Sequence, residues 1–139
     1  MKNKLDKFLE AQKEKYSIAL SEIKNGEKES HWMWYIFPQV IGLGRSEISK
    51  YYAIKDINEA KMYLDDDTLG TRLIEISNEL LKLDNNDAYS IFGFPDNLKL
   101  QSSMTLFSQT ENTNQVFKQV LNKFFDGKFD NKTLQILNE

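Results

Sequence analysis

The residues of this sequence best suited to chemistry lie between His31 and Arg45. This stretch contains the only histidine of the chain, both tryptophans (Trp32 and Trp34), a pair of glycines and an arginine. Aromatic faces stack on planar bases, glycines let backbone N–H groups approach a phosphate, and arginine can bind an anion through two hydrogen bonds. The combination predicts a site for a nucleotide-like ligand.

The same stretch also has a structural interpretation, which the sequence leaves open. Six large apolar or aromatic residues follow one another from Trp32 to Phe37, so most of them must be buried. His31 then serves as a hydrogen-bonded hinge residue. The run Gly42-Leu43-Gly44 lacks the strand, turn and helix of a phosphate-binding fingerprint.

A second candidate segment begins at Asp96 and carries several small hydroxyl side chains. On a helix, Asp96, Lys99 and either Ser102 or Ser103 are three or four residues apart and share a face. A carboxylate, an ammonium group and a hydroxyl can together bind an anion or activate a nucleophile. The alternative is an exposed ion pair that contributes less than about 1 kcal/mol, beside hydroxyls that let helices approach closely.

Helical periodicity predicts the elements that position these residues. Apolar residues recur at helical spacing from Leu5 to Ile23 and again from Leu69 to Leu83, and Pro38 favours the end of a short helix. The glycine and proline between residues 90 and 96 predict a turn. We expect helix caps at Asn3, Ser46, Asp56, Thr113 and Asp130. With no alternating strand pattern, the sequence predicts a single all-α domain, residues 1–139, of about six to eight helices.

Composition limits the classes of function. The chain has 139 residues, 40% of them hydrophobic, which is enough for one core. With no cysteine and one histidine it has no disulfide, no thiolate catalysis and no multi-histidine metal site, so we expect neither a metal nor a cofactor. The net charge of −3 disfavours nucleic acid as a partner. No signal peptide or membrane-spanning stretch is seen, which predicts a cytoplasmic protein without a membrane partner.

The order of several motifs resembles a known family. Those motifs are HWMWYIFPQ (31–39), GLGRS (42–46), YYAI (51–54), EAKMYL (59–64), LGTRL (69–73), FGFPDNLKLQSSMTLF (92–107) and GKFDNKTLQIL (127–137). On these residues the chain resembles the bacterial family named domain of unknown function 1810, over essentially its whole length. The resemblance implies a small, mainly helical protein of the bacterial cytoplasm, and it brings no agreed activity, cofactor or catalytic residue.

Two functional hypotheses follow. In the first, residues 31–46 and 96–105 form one pocket for a small anionic or nucleotide-like ligand, with Ser102 and Ser103 among its binding residues. Trp32 or Trp34 forms the wall, Arg45 and Lys99 hold the negative charge, and His31 or Asp96 moves a proton. Hydrolytic or N-glycosidic chemistry is a further expectation, and whether the protein is an enzyme stays open. The alternative is a non-enzymatic protein–protein interaction module whose aromatic segment faces a partner.

Overall fold

The computed structural model describes residues 3–139, which form nine helices and no strand. In chain order these are α1 (Asp6–Lys24), α2 (Met33–Ile36), α3 (Glu47–Tyr52), α4 (Ile57–Asp65), α5 (Leu69–Leu81), α6 (Ala88–Phe92), α7 (Asp96–Ser108), α8 (Val116–Phe125) and α9 (Asn131–Leu137). The all-α prediction is confirmed for this part of the chain. No helix within it has both the length and the apolar character needed to cross a bilayer.

The expected number of six to eight helices was too low because α6 was missed. The sequence predicted a turn around Gly93, but the residues just before it form a helix of five residues. The Asp87 side chain caps α6 by accepting from the backbone N–H of Tyr89. A helix this short has no apolar period, and the glycine and proline that follow it signal only its end.

Three of the predicted helix caps are confirmed. The side chains of Ser46, Asp56 and Asp130 accept hydrogen bonds from the backbone N–H groups three residues ahead, at 3.2, 2.9 and 3.1 Å. Each of these bonds satisfies an N–H that has no partner inside the helix. The starts of α3, α4 and α9 are therefore set by local chemistry.

The two other predicted caps were wrong. Asn3 accepts from the backbone N–H of Leu5, before α1 begins, and the N-cap position of α1 has no side-chain hydrogen bond. Asn114 accepts from the N–H of Val116, whereas the hydroxyl of Thr113 donates to the carbonyl of Phe107 in α7. Asn3 closes a turn just before Asp6, where α1 begins, and Asn114 binds the N–H that Thr113 was expected to bind near the start of α8.

The core lies around α5 and α7. Helices α1, α4 and α8 pack against α5, and α4, α6, α8 and α9 pack against α7. A Cβ atom on Gly70 would lie 2.0 Å from the carbonyl oxygen of Leu64, so only glycine lets α5 begin this close to the end of α4. This contact explains why the strongest apolar period of the chain contains a glycine.

A lobe built around α3 lies on one side of this core. Two backbone hydrogen bonds close its base, from Ile41 N–H to the Ile54 carbonyl and from Ile54 N–H to the Gln39 carbonyl, both 2.8 Å long. No residue of α3 is buried. We call residues 39–55 the α3 lobe.

Aromatic contacts attach the α3 lobe to the core. The ring of Tyr52 lies 5.8 Å from the ring of Phe8 in α1 and 5.3 Å from the ring of Tyr35 in α2, measured between centroids. Such tilted and edge-to-face pairs stabilise packing beyond the area they bury. The lobe therefore packs against the first half of α1 and against α2.

Candidate functional site

The structure brings three of the predicted site residues together at the start of α7. The carboxylate of Asp96 lies 3.5 Å from Lys99 Nζ and 2.9 Å from Lys28 Nζ. Lys99 Nζ also lies 5.5 Å from the centroid of the Trp34 ring. We call Lys28, Trp34, Asp96 and Lys99 the Asp96 cluster. Residues 31–46 and 96–105 are in contact here through Trp34 and Lys99, and that they form a ligand pocket stays a prediction.

Lys28, which sequence reasoning missed, is the better-enclosed partner of Asp96. Its side chain is only 7% exposed, its Nζ donates to the carbonyl of Ser30 at 2.6 Å, and it lies 4.9 Å from the centroid of the Trp32 ring. Lys28 belongs to the polar loop after α1, where no periodicity or motif singles it out. The Asp96 cluster thus ties that loop to α7.

The carboxylate of Glu22 fixes the same loop from the side of α1. It accepts hydrogen bonds from the N–H of Glu29 (2.8 Å), from the N–H and hydroxyl of Ser30 (2.9 and 2.6 Å) and from Nε1 of Trp32 (2.8 Å). Partial burial alone would raise the pKa of Glu22, but the bonds from Ser30, Glu29 and Trp32 outweigh it and hold the pKa at about 2, below its ordinary 4.5. Trp32 itself is fully buried, as in the structural interpretation of the aromatic run.

The two predicted serines face the interior of the helix packing. The hydroxyl of Ser102 donates to the Leu98 carbonyl and to the carboxylate of Asp130, each at 3.2 Å, which directs it towards α9. Ser103 is fully buried, and its hydroxyl has no hydrogen-bond partner within residues 3–139. Neither serine forms an ion-pair or hydrogen-bond contact with Lys99.

His31 and Arg45 are exposed and lie outside the Asp96 cluster. That they join Lys99 in one pocket stays a prediction. The glycines beside Arg45 have structural roles: Gly42 has a φ of +100°, and a Cβ on Gly44 would lie 2.4 Å from the Cβ of Ser49. The loop of residues 42–46 is therefore shaped by contacts within the protein.

A large, open cavity lies elsewhere, between the first half of α1 and the α3 lobe. Its volume is about 860 Å³. Five lysines line it, with Ile41 and Tyr51 among its apolar residues: Lys4, Lys7, Lys13, Lys50 and Lys55. Lys7 Nζ lies 5.3 Å from the centroid of the Tyr51 ring, so it connects the two walls. We call this cavity the α1–α3 groove.

The three carboxylates of the groove offset part of the charge of its five lysines and leave an excess of two positive charges. Asp6 accepts from the backbone N–H of Asn3 at 2.8 Å, and Glu59, only 6% exposed, accepts from the N–H of Lys55 at 3.3 Å. The third carboxylate is Glu10, which is exposed. Within residues 3–139, none of the five groove lysines forms an ion pair. Their charges are therefore available to a ligand.

Sequence reasoning missed the groove because no single segment carries it. The lysines of α1 alternate with acidic residues, which is typical of an exposed helix face, and those of the α3 lobe are about 40 residues away. Tertiary contacts, such as the packing of Tyr52 on Phe8 and of Lys7 on Tyr51, bring the two sets together. Elsewhere, no group of three or more carboxylate or histidine side chains in residues 3–139 is arranged to hold a metal ion.

Apart from Ile18 in α1 and Met62 in α4, the large exposed apolar side chains of residues 3–139 lie at two places. Ile41, Ile48 and Tyr51 belong to the α3 lobe, and Tyr89, Phe94 and Leu98 lie in and around α6 and the start of α7. Scattered apolar residues are normal on a protein surface. A protein–protein interaction module therefore stays a prediction.

The chain is similar to a known protein in both sequence and fold. The crystal structure of the conserved hypothetical protein Rv1873 from Mycobacterium tuberculosis is similar to this chain, with 40% sequence identity, a TM-score of 0.94, and coverage of 97% of this chain and 96% of that one. No curated protein matches the chain. The model of the family described as "Protein of unknown function (DUF1810)" matches residues 2–137. The resemblance in the motifs is thus confirmed, and the chain belongs to this family.

Proposed function

We propose that the protein binds a small anionic or nucleotide-like ligand in the α1–α3 groove. The observation that carries the proposal is the set of five lysines that line the groove without an ion pair in residues 3–139. The chain as a whole has a net charge of −3, so the attraction for an anion is local to this cavity.

The size and walls of the groove fit a ligand of this kind. Its volume of about 860 Å³ falls within the range of small-molecule sites, roughly 300–1,000 Å³. Tyr51 and Ile41 are 58% and 48% exposed, and they offer apolar surface beside the lysines. A ligand with a flat ring and negative charge would use both kinds of surface.

The proposal keeps the class of ligand that the sequence predicted and changes its position. Residues 31–46 reach the groove through Ile41, but residues 96–105 do not line it. Arg45 and Lys99, which were expected to hold the negative charge, are also absent from its lining. Lys7 and Lys50, one from each wall, take that role in the proposal.

The proposal assigns binding and no reaction. Two of the three groove carboxylates are engaged with backbone N–H groups, so they are poorly placed to move a proton. Hydrolytic or N-glycosidic activity therefore remains a prediction from the sequence.

A thermal-shift screen tests the proposal. The purified chain is heated with nucleotides, ADP-ribose, NAD or sugar phosphates at low salt, because a ligand that binds only the folded state raises the melting temperature. We expect at least one anion to raise it in a concentration-dependent way. The double variant Lys7→Gln/Lys50→Gln should abolish that rise.

The matched control is Lys118→Gln/Lys132→Gln. It makes the same change in charge at two exposed lysines of α8 and α9, outside the groove. The control should keep the rise in melting temperature. If no anion stabilises the chain, or if both double variants lose the effect equally, the proposal is wrong.

A further inference from the structure

A second concave surface adjoins the α1–α3 groove on the far side of Tyr51. It is open, has a volume of about 620 Å³, and is lined by Glu47, Ile48, Lys50, Tyr51 and Tyr52. We call it the α3 dish. Lys50 and Tyr51 line both the groove and the dish, so one ligand can extend across the two.

The groove and the dish differ in charge. The groove has five lysines and three carboxylates, whereas the dish has the shared Lys50 and the carboxylate of Glu47. Glu47 is exposed and forms no ion pair within residues 3–139, so it repels an anion placed in the dish. Several negative charges are therefore held best on the groove side of Lys50.

The dish instead offers flat apolar contact. Ile48 is 41% exposed and Tyr51 is 58% exposed, and the ring of Tyr52 stands edge-on to that of Tyr51 at 4.8 Å between centroids. Aromatic side chains stack on nucleobases of any kind, because every base has a π-face. The Glu47 carboxylate can in addition accept a hydrogen bond from an amino group on the edge of such a base.

Building on the proposed function, we infer that the ligand is a nucleoside polyphosphate bound in one orientation. Its phosphates lie in the α1–α3 groove along Lys7 and Lys50, and its base lies in the α3 dish against Tyr51 and Ile48. A nucleic-acid chain is not favoured, because the chain as a whole has a net charge of −3 and the groove lysines are confined to one cavity, whereas a polymer needs positive charge along its whole path.

Isothermal titration of the full chain with three probes separates the two ends of the site. The probes are ATP, inorganic tripolyphosphate and adenosine, without divalent cations. We expect ATP to bind about tenfold more tightly than tripolyphosphate, a difference that reports the base. Adenosine should bind most weakly because it lacks the charges that the lysines attract.

Single variants then test which part of the ligand lies in the groove and which part lies in the dish. Ile48→Ser, at a residue that lines only the dish, should weaken ATP about tenfold and leave tripolyphosphate unchanged. Tyr51→Ser should also weaken ATP about tenfold, and Lys50→Gln should weaken both ATP and tripolyphosphate. Tyr89→Ser is the matched control, since Tyr89 is equally exposed, at 61%, and lies outside both surfaces. It should bind all three probes like the unsubstituted chain.

The outcomes distinguish this inference from the proposed function. If tripolyphosphate binds as tightly as ATP and depends on Lys50, the groove binds anions but the inference about the base is wrong. If a single-stranded oligonucleotide binds far more tightly than ATP, the inference is also wrong, because the ligand is then a polymer. If none of the three probes binds in a lysine-dependent way, the inference is wrong, whereas the proposed function fails only if the wider panel of the thermal-shift screen also gives no lysine-dependent effect.

Discussion

Two regions of the molecule use lysine and aromatic residues in opposite ways. In the Asp96 cluster, both lysines lie near a carboxylate and near a tryptophan ring, and the Lys28 side chain is 7% exposed. In the α1–α3 groove, five lysines form no ion pair within residues 3–139. A charge removed from water needs a partner inside the protein, whereas a charge in an open cavity keeps its capacity for an external one. The presence or absence of an ion-pair partner inside the protein therefore distinguishes the lysines of the Asp96 cluster from those of the groove, to which we assign a ligand as a proposal.

The largest effect on stability is expected from Asp96→Asn. This change leaves Lys28 enclosed without its carboxylate, and we expect the free energy of unfolding to fall by about 2–3 kcal/mol. Chemical denaturation of the variant and of the unsubstituted chain measures the difference. Ligand affinity should not change, because Asp96 does not line the groove.

Asp65→Asn provides the matched control for that prediction. Asp65 pairs with Lys61 at 2.9 Å, the same distance as between Asp96 and Lys28. The Asp65 side chain is however 62% exposed and the Lys61 side chain 39% exposed. An exposed pair within one helix contributes only about 0.3–0.5 kcal/mol. Equal losses in the two variants would contradict the view that enclosure makes the Asp96 cluster structural.

A smaller loss, about 1–2 kcal/mol at neutral pH, is expected from Glu22→Gln. The glutamine keeps one acceptor oxygen but places an NH₂ group among donors that the carboxylate now satisfies. The measurement is again the free energy of unfolding, with Glu10→Gln as control at an exposed glutamate of the same helix.

The pH dependence of this loss has a definite sign. Because the pKa of Glu22 is lowered to about 2 in the folded chain, its carboxylate contributes stability above its ordinary pKa of 4.5 and loses that contribution as the pH falls towards 2. The deficit of Glu22→Gln should therefore shrink between pH 4.5 and pH 2. A deficit that stays constant over this interval would mean that the Glu22 hydrogen bonds contribute little.

The parts of the fold that were predictable from the sequence depend on interactions within a few residues. The periodicity predicted α1 and α5, which the structure places at Asp6–Lys24 and Leu69–Leu81. Three caps were also predicted, because a side chain and the N–H three residues ahead are adjacent in any helix. Helix α6 was not predicted, since a helix of five residues has no apolar period. The closure of the α3 lobe was not predicted either, because it depends on hydrogen bonds between residues that are not neighbours in the chain, such as Ile41 and Ile54.

The same difference between local and long-range contacts decided which residues of the candidate sites were predicted. Asp96 and Lys99 were predicted together because they are one helical turn apart, and the structure places Lys99 Nζ over the ring of Trp34, another predicted site residue. Lys28 was not predicted, because its contact with Asp96 joins the loop after α1 to the start of α7, far along the chain. The groove was not predicted for a similar reason: the lysines of α1 and those of the α3 lobe each look like ordinary surface lysines in the sequence, and only the fold brings them together.

The smallest effect on stability is expected from Lys99→Gln, which tests which of the two regions binds the ligand. Lys99 Nζ lies 3.5 Å from Asp96, farther than Lys28 Nζ at 2.9 Å, and its side chain is 22% exposed against 7% for Lys28, so its loss should cost less than about 1 kcal/mol. Calorimetric titration of any anion found in the screen should give an unchanged affinity, while Lys50→Gln lowers it about tenfold. If Lys99→Gln weakens binding as much as Lys50→Gln does, the ligand contacts the Asp96 cluster. The pocket that the sequence predicted between residues 31–46 and 96–105 would then replace the α1–α3 groove as the binding site.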